Sequence, residues 1–195
     1  MSAAVETPRR QEIVASSAAL FRRQGYAQTS IRDLAAALEI KSSSLYYHFE
    51  NKEEILYAIA HGLMLDFVAE VTAPLLSGGE PDQQVAAMVD AHLRFDLANL
   101  DRVLVSAHER HSLPDDKQRP INALRARHRR ALEAVAGAGA ERGIFAIADP
   151  RVAASGLLDL LSGAKEWYQP GRDGSLDQLV ATYRGFAAGM LGVAR

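Results

Sequence analysis

The strongest constraint on the fold is a series of helix start and stop signals that recurs along the chain without a strand pattern between them. Ser30–Asp33 and Ser175–Gln178 match the capping box, in which a serine oxygen accepts the third amide of a helix while the third side chain reaches back. Asp149-Pro150 has the order of an N-cap and a first helical residue. No alternating run rich in Val, Ile and Thr is bounded by hairpin turns. The sequence therefore predicts an all-α fold of about nine helices.

Three of these helices are predicted before residue 52, and their lengths and order are those of a helix-turn-helix unit. Thr7-Pro8 would begin a first helix, which Gly25 would end as a C-terminal cap. A short second helix would begin after Ser30. A turn at 39–41 would lead into a third helix from Ser42 to about residue 48. In such a unit the last helix enters the major groove of DNA.

The third helix carries more polar and aromatic side chains than packing requires. Leu45 and Phe49 lie one turn apart in the stretch SSSLYYHFENK and would both face inward. The candidates for contact with base edges are Ser43, Ser44 and Tyr47, and those for contact with phosphate oxygens are Tyr46, His48 and Lys52. The alternative is a short solvated helix whose aromatic residues only pack locally.

Charge and composition are compatible with DNA binding. The formal net charge is −2, but residues 1–52 hold seven Lys or Arg residues against five Asp or Glu residues. A local basic face is sufficient for phosphate contact. The absence of cysteine excludes disulfides, thiolate metal sites and cysteine nucleophiles. With no leader pattern and no apolar stretch of membrane-spanning length, we expect a soluble, cytoplasmic protein without a membrane partner.

Three segments of the N-terminal region together carry the motifs of a known family. They are Thr29–Ala35, Ser44–Phe49 and Lys52–Leu56. In combination they resemble the DNA-binding domain of the TetR family of bacterial transcriptional regulators. Glu39 stands where the family pattern has a turn glycine, and Lys41 stands where it has the serine that caps the recognition helix. We expect Ser42 to take the capping role one residue later.

The resemblance implies a homodimer that represses transcription from a palindromic operator in double-stranded DNA until a small-molecule effector releases it. We expect a DNA-binding domain at residues 1–52 and an all-helical ligand-binding and dimerisation domain at residues 53–195. Lys41, displaced outward, would add a phosphate contact. The further DNA-binding candidates are Thr29, Ser30, Arg32, Lys41 and Ser42.

The last two predicted helices combine small and apolar residues in a pattern typical of close helix packing. Packing against their symmetry mates would make a four-helix dimer interface and hold the two recognition helices about 34 Å apart, one turn of DNA. The alternative is that these helices complete the core of one chain. The dimer candidates are Gly156, Leu160, Gly163, Tyr183, Phe186, Ala187 and Met190.

Side chains with an apolar body and a polar tip, typical of a mostly hydrophobic ligand cavity, recur in the predicted second domain. Most of them would also fit an ordinary core. The candidates for ligand contact are Met88, His92, Phe95, His108, His111, Leu124, Arg125, His128, Trp167 and Tyr168. The region from about Arg102 to Leu191 is diffusely similar to TetR-type regulators of lipid or steroid catabolism, which implies an acyl-CoA thioester as the effector.

Two clusters in this region allow a second interpretation. Four arginines fall in the six positions from Arg125 to Arg130, and they form either a solvated helix face or a clamp for the phosphates of CoA. His108 and His111 are three residues apart, whereas the zinc-protease motif needs four. We therefore expect no metal, cofactor or catalytic residue. The rival hypotheses are an all-helical enzyme using these histidines and a ligand-binding dimer without DNA function.

Overall fold

The computed structural model describes residues 8–193, which form ten α-helices and one 3₁₀ turn and contain no strand. The helices are α1 Pro8–Gln24, α2 Ile31–Ala37, α3 Ser42–His48, α4 Lys52–Val71, α5 Ala73–Leu76, α6 Pro81–Ala98, α7 Leu100–His108, α8 Asp115–Glu141, α9 Pro150–Trp167 and α10 Leu176–Leu191, with the 3₁₀ turn at Arg110–Ser112. The predicted all-α class is confirmed. The count of nine missed the single-turn helix α5, and Thr7, the predicted first N-cap, lies outside the described residues.

The chain divides into two compact units. The first unit contains the residues up to Leu63 together with Leu100–Ile121, and the second contains Met64–Asn99 and the residues from Asn122 onward. Helices α4 and α8 contribute residues to both units. The boundary expected at residue 52 is therefore the start of α4 and not the edge of a compact unit.

The first unit is built on α1, which packs against both α2 and α7. Ile13 and Phe21 of α1 are buried in its core together with Leu34 of α2. Arg22 of α1 also donates a hydrogen bond to Asp101 of α7 over 2.5 Å. Three helices that are contiguous in sequence are thus braced by a fourth, α7, that follows much later in the chain.

The turn between α2 and α3 has the hydrogen bonds of a Schellman motif. The amide of Ile40 donates to the Ala35 carbonyl, and the amide of Glu39 donates to the Ala36 carbonyl. Glu39 has a φ of 54° and is the one non-glycine residue among the described residues with a positive φ. Glu39 stands where the family pattern has a glycine, and its backbone has the left-handed conformation that favours glycine. This conformation costs a residue with a Cβ about 1 to 2 kcal/mol.

The second unit packs α6 against α5, α9 and α10, and α9 against α10. Its helix starts follow the sequence signals, because Asp149 caps α9 and a complete capping box at Ser175 begins α10. After α8 the chain turns back on itself so closely that a Cβ at Gly139 would lie 2.1 Å from Cδ2 of Phe145. Only glycine fits at that contact. No helix within residues 8–193 has the length and apolarity needed to cross a membrane.

Candidate functional site

Helix α3 exposes its two tyrosines and buries its one leucine. The side chains of Tyr47 and Tyr46 are 86% and 54% exposed, whereas Leu45 and Phe49 are buried in the first unit. Ser43 and Ser44 are also exposed. Two neighbouring tyrosines held outside the core on a short helix give that helix large planar groups with hydroxyl tips, which are suited to the edges and backbone of a partner.

The C-terminal end of α3 is fixed from α1. Nη1 of Arg10 donates a 2.5 Å hydrogen bond to the carbonyl of His48. The same guanidinium lies 3.9 Å from the centroid of the Phe49 ring. Because a last-turn carbonyl of a helix has no partner within the helix, this contact satisfies it and sets the direction of α3.

The start of α4 is fixed in a similar way by Lys52. Its ammonium donates to the carbonyls of Tyr26 and Thr29 over 2.7 and 2.9 Å and lies 4.2 Å from the Tyr26 ring centroid. Oδ1 of Asn51 accepts a hydrogen bond from the Glu54 amide and so caps the same helix. Arg10 and Lys52 therefore both donate to backbone carbonyls of this unit.

These contacts correct three predictions. Lys52 was expected to contact phosphate, but its ammonium is engaged by two carbonyls of its own chain. Thr29 is 1% exposed and donates to the Gly25 carbonyl, so its side chain has no access to DNA. Ser42 does not cap α3. Ser42 is already the first residue of the helix, so Lys41 is the N-cap, and its side chain makes no capping hydrogen bond.

The remaining DNA-binding candidates lie around α3 on the first unit. Arg32 and Lys41 are exposed, and Ser42 and His48 are half-buried. Ser30 is exposed as well, but its hydroxyl is engaged with Asp33, to which it donates over 2.7 Å. That hydroxyl, and then the Ser30 amide, lower the pKa of the Asp33 carboxyl. DNA contact by these residues stays a prediction.

The second unit contains a buried group of polar and aromatic side chains, which we call the imidazole cluster. It consists of Phe67, Thr72, His92, Phe95, Asp96 and His128. Phe67 stands at its centre, with its ring centroid 5.0 Å from that of His92 and 4.9 Å from that of His128, both in edge-to-face geometry. Helices α4, α6 and α8 supply its ring-bearing residues.

Two of the four imidazole nitrogens in this cluster face a polar side chain. Nδ1 of His128 lies 2.9 Å from the Thr72 hydroxyl, and Nε2 of His92 lies 3.5 Å from Oδ2 of Asp96. Burial, followed by the proximity of His92, lowers the pKa of His128 to about 4. His128 is therefore neutral at pH 7.

The structure brings three of the ten predicted ligand residues, His92, Phe95 and His128, into the imidazole cluster. Met88, His92, Phe95 and His128 are buried in the second unit. Tyr168 is buried too, but its hydroxyl donates to the Gly174 carbonyl. The others do not join a buried site: Leu124 and Arg125 are half-buried and Trp167, His108 and His111 are exposed. His108 and His111 belong to the first unit, at the end of α7 and in the 3₁₀ turn, and ligand contact by them stays a prediction.

Three cluster residues were missed by the sequence interpretation. Asp96 could have been found, because it follows His92 by one helical turn on α6. Phe67 is part of an apolar stripe of α4 that gave no functional signal. Thr72 follows α4 directly, and only the tertiary fold places its hydroxyl beside His128.

The predicted dimer residues fall into two groups. Phe186 and Met190 are 50% and 44% exposed on α10, and Gly163 is exposed on α9, with Gly156 and Leu160 half-buried. Tyr183 and Ala187 are buried within the chain, where they complete its own core, so their assignment to an interface is corrected. Val152, at 68% exposed, was not predicted and adds to the exposed apolar area of α9.

A cleft with both apolar and polar lining also lies in the first unit, between α1 and α7. It has a volume of about 280 Å³ and is lined by Phe21, Arg22, Gly25, Leu104, Val105, His108 and Glu109. The cleft is open to solvent, and no sequence motif pointed to it.

The arginine run on α8 is largely solvated: Arg127, Arg129 and Arg130 are exposed, and Arg129 pairs with Glu133 over 3.1 Å.

The exposed α3, braced by α1, α2 and the start of α4, defines a helix-turn-helix DNA-binding protein. Residues 13–59 match the bacterial regulatory proteins of the tetR family, and residues 78–191 match the tetracyclin repressor-like C-terminal domain. The second match alone spans more than half of the chain. The protein therefore belongs to the TetR family of bacterial transcriptional regulators.

Similar proteins agree with this membership. The HTH-type transcriptional repressor KstR2 of Rhodococcus jostii is 28% identical over 90% of this chain and 87% of its own length. The crystal structure of the TetR family regulator PfmR from Thermus thermophilus has a TM-score of 0.85 at 29% identity, covering 94% of this chain and 98% of that one. AibR, solved in complex with isovaleryl coenzyme A and operator DNA, has the same fold, with a TM-score of 0.85 at 23% identity over 94% and 98% of the two chains.

Proposed function

We propose that this TetR-family regulator is a homodimeric repressor that binds a palindromic operator through α3 and leaves it when an apolar or acyl-CoA-like effector binds the second unit. The observation that carries the DNA-binding role is the exposure of Tyr46 and Tyr47 on a helix whose C-terminal end is fixed by Arg10, with the start of the following helix fixed by Lys52. Rigid presentation of a short helix is what reading a groove requires. An effector acts only through its different affinities for the DNA-competent and DNA-incompetent states.

The DNA-binding role is tested by selecting binding sites from a pool of random duplexes. The affinity of the protein for the selected duplex is then measured at two salt concentrations. We expect a palindromic site and an affinity that falls steeply with salt, since phosphate neutralisation releases counterions. Tyr47→Ala should weaken binding about tenfold, in the range of one lost base contact. Trp167→Ala, which removes an exposed aromatic residue of the second unit, is the control and should bind normally. Unchanged affinity for Tyr47→Ala would contradict the assignment of α3.

An acyl-CoA effector is supported by the shared fold with AibR, which was solved with isovaleryl coenzyme A, and by the exposed arginines of α8. Guanidinium groups form strong bidentate hydrogen bonds with phosphate. In thermal-shift measurements isovaleryl-CoA should stabilise the protein, and isovalerate and CoA alone should do so less, because ligand affinity for the folded state raises its stability. The double variant Arg127→Ala/Arg130→Ala should lose the difference between thioester and acid. Arg23→Ala, which removes an exposed arginine of the first unit, should keep it.

The dimer is supported by the exposed apolar residues of α9 and α10. Val152, Phe186 and Met190 would be buried against a second copy, as four-helix dimer interfaces require. Native mass spectrometry should show a dimer for the wild type and a monomer for Phe186→Glu. Leu76→Glu is the matched control, because Leu76 is a similarly exposed leucine of the same unit. A dimer that persists in Phe186→Glu would move the interface elsewhere.

A further inference from the structure

The imidazole cluster has more buried hydrogen-bonding capacity than the protein uses. His92 and His128 are each 3% exposed. Nδ1 of His92 and Nε2 of His128 have no hydrogen-bond partner within residues 8–193. A buried polar atom left unpaired costs about 1 to 3 kcal/mol, so two such atoms in one core call for a physical explanation.

The proton positions define what chemistry these two nitrogens offer. A carboxylate only accepts hydrogen bonds, so beside an ionised Asp96 the single proton of a neutral His92 ring lies on Nε2, facing Oδ2 of Asp96. Nδ1 of His92 is then a bare acceptor that requires an O–H or N–H donor. Nε2 of His128 donates when the Thr72 hydroxyl donates to Nδ1, and it accepts in the opposite tautomer.

A hydroxyl group is the functional group that suits both nitrogens. It donates one hydrogen bond and accepts others, and it can do both at once. The two imidazole centroids are 6.2 Å apart. The two rings are therefore close enough for one small group to lie against both of them. A carboxylate or a ketone oxygen only accepts, so neither can satisfy Nδ1 of His92.

The surroundings favour an uncharged partner over an ion. Phe67 and Phe95 line the same cluster, with ring centroids 5.3 Å apart, and burial keeps His128 neutral, with a pKa of about 4. A carboxylate here would be desolvated without a compensating positive charge on His128. A metal ion is also unsuited, because the described residues contain no group of three or more His, Asp or Glu side chains that could hold one.

We propose that the imidazole cluster recognises a hydroxyl group on an otherwise apolar part of the effector, with His92 Nδ1 accepting a hydrogen bond from the hydroxyl and His128 Nε2 as the second partner. This inference rests on the proposed function, because it names the chemistry of the effector in the second unit. It is compatible with a CoA thioester only when the acyl portion carries a hydroxyl. A water molecule offers the same hydrogen bonds, so the test must separate the two.

The test uses three probes of one ring size: cyclohexanol, cyclohexanone and cyclohexanecarboxylate. Each is titrated into full-length protein labelled with ¹⁵N-histidine, and the imidazole nitrogens are followed by NMR. Cyclohexanol should shift the His92 Nδ1 resonance and bind about tenfold more tightly than the other two, the value of one additional hydrogen bond of about 1.4 kcal/mol. His92→Phe, which removes the acceptor, should bring the three affinities together.

Equal affinities of the wild type for the three probes, or a His92 Nδ1 resonance that cyclohexanol leaves unchanged, would overturn the proposal and assign the site to water. The wild-type titration decides this even if His92→Phe fails to fold. Operator affinity is measured on the same wild-type sample without probes. Loss of the hydroxyl preference with intact operator binding refutes the inference alone, whereas a wild type that binds no operator refutes the proposed function.

Discussion

The two units of this protein use buried or half-buried cations and imidazoles in opposite ways. In the first unit the side chains of Arg10 and Lys52 reach backbone carbonyls, which fixes the ends of α3 and α4. In the second unit two histidine nitrogens are buried without a partner among the described residues. Polar groups whose hydrogen bonds are complete hold one geometry. Buried polar groups without a partner destabilise the protein, and a ligand that supplies the missing hydrogen bonds would stabilise it. The comparison teaches that rigidity and responsiveness are built from similar residue types and differ in how the hydrogen bonds are completed.

The largest expected effect lies in the second unit and concerns pH. The pKa of His128 is about 4 in the folded protein, against an ordinary value of 6.5. As pH falls below 6.5, His128 becomes protonated in the unfolded chain but stays neutral in the folded protein. The free energy of unfolding therefore decreases progressively between pH 6.5 and pH 4. The total loss is about 3 kcal/mol from this one group.

Urea unfolding at pH 7.5 and at pH 4.5, at one protein concentration, measures this effect. His128→Gln should lose less stability over that interval than the wild type does. His111→Gln, which removes an exposed imidazole of the first unit, is the control and should follow the wild type. An equal pH dependence in His128→Gln and wild type would show that the cluster is open to water, and the contrast between the units would fail.

The next largest effect tests the satisfied contacts of the first unit. Lys52→Met keeps the aliphatic stem and removes the ammonium that serves the carbonyls of Tyr26 and Thr29. We expect a loss of about 2 to 3 kcal/mol in the free energy of unfolding, because hydrogen bonds from a charged donor are stronger than neutral ones. Thermal and urea unfolding of the full chain measure it.

The matched control is Lys41→Met, since Lys41 is an exposed lysine of the same unit. It should change stability by less than about 0.5 kcal/mol, as surface substitutions do. Its operator affinity should fall, however, as expected for a lost phosphate contact. A stable Lys52→Met variant with weakened operator binding would reverse the two roles and restore Lys52 as a DNA contact.

The distance along the chain between a residue and its partner explains which predictions succeeded, in both units. Helix starts with a local chemical cause were predicted from the sequence, as at Ser30, Asp149 and Ser175, because a cap depends on residues within one turn. The exposure of Tyr46 and Tyr47 followed from their position between Leu45 and Phe49. The roles of Lys52, Thr29 and Thr72 were not predictable in this way, since their partners are set by tertiary packing. That is why the recognition helix could be located from the sequence while the polar composition of the buried cluster could not.

The smallest expected effect concerns the one backbone position where the first unit is strained. Glu39 closes the Schellman motif after α2 with a φ of 54°, in the region that favours glycine. Glu39→Gly should raise the free energy of unfolding by about 0.5 to 1 kcal/mol, because relief of the Cβ contact exceeds the entropy that glycine adds to the unfolded chain. Glu39→Ala removes the same carboxylate but keeps the Cβ, so it should bring no gain. If alanine stabilised the protein as much as glycine, the cause would be the charge of Glu39 and not its backbone conformation. The first unit would then show no backbone strain at this position, in contrast to the unpaired imidazole nitrogens of the second unit.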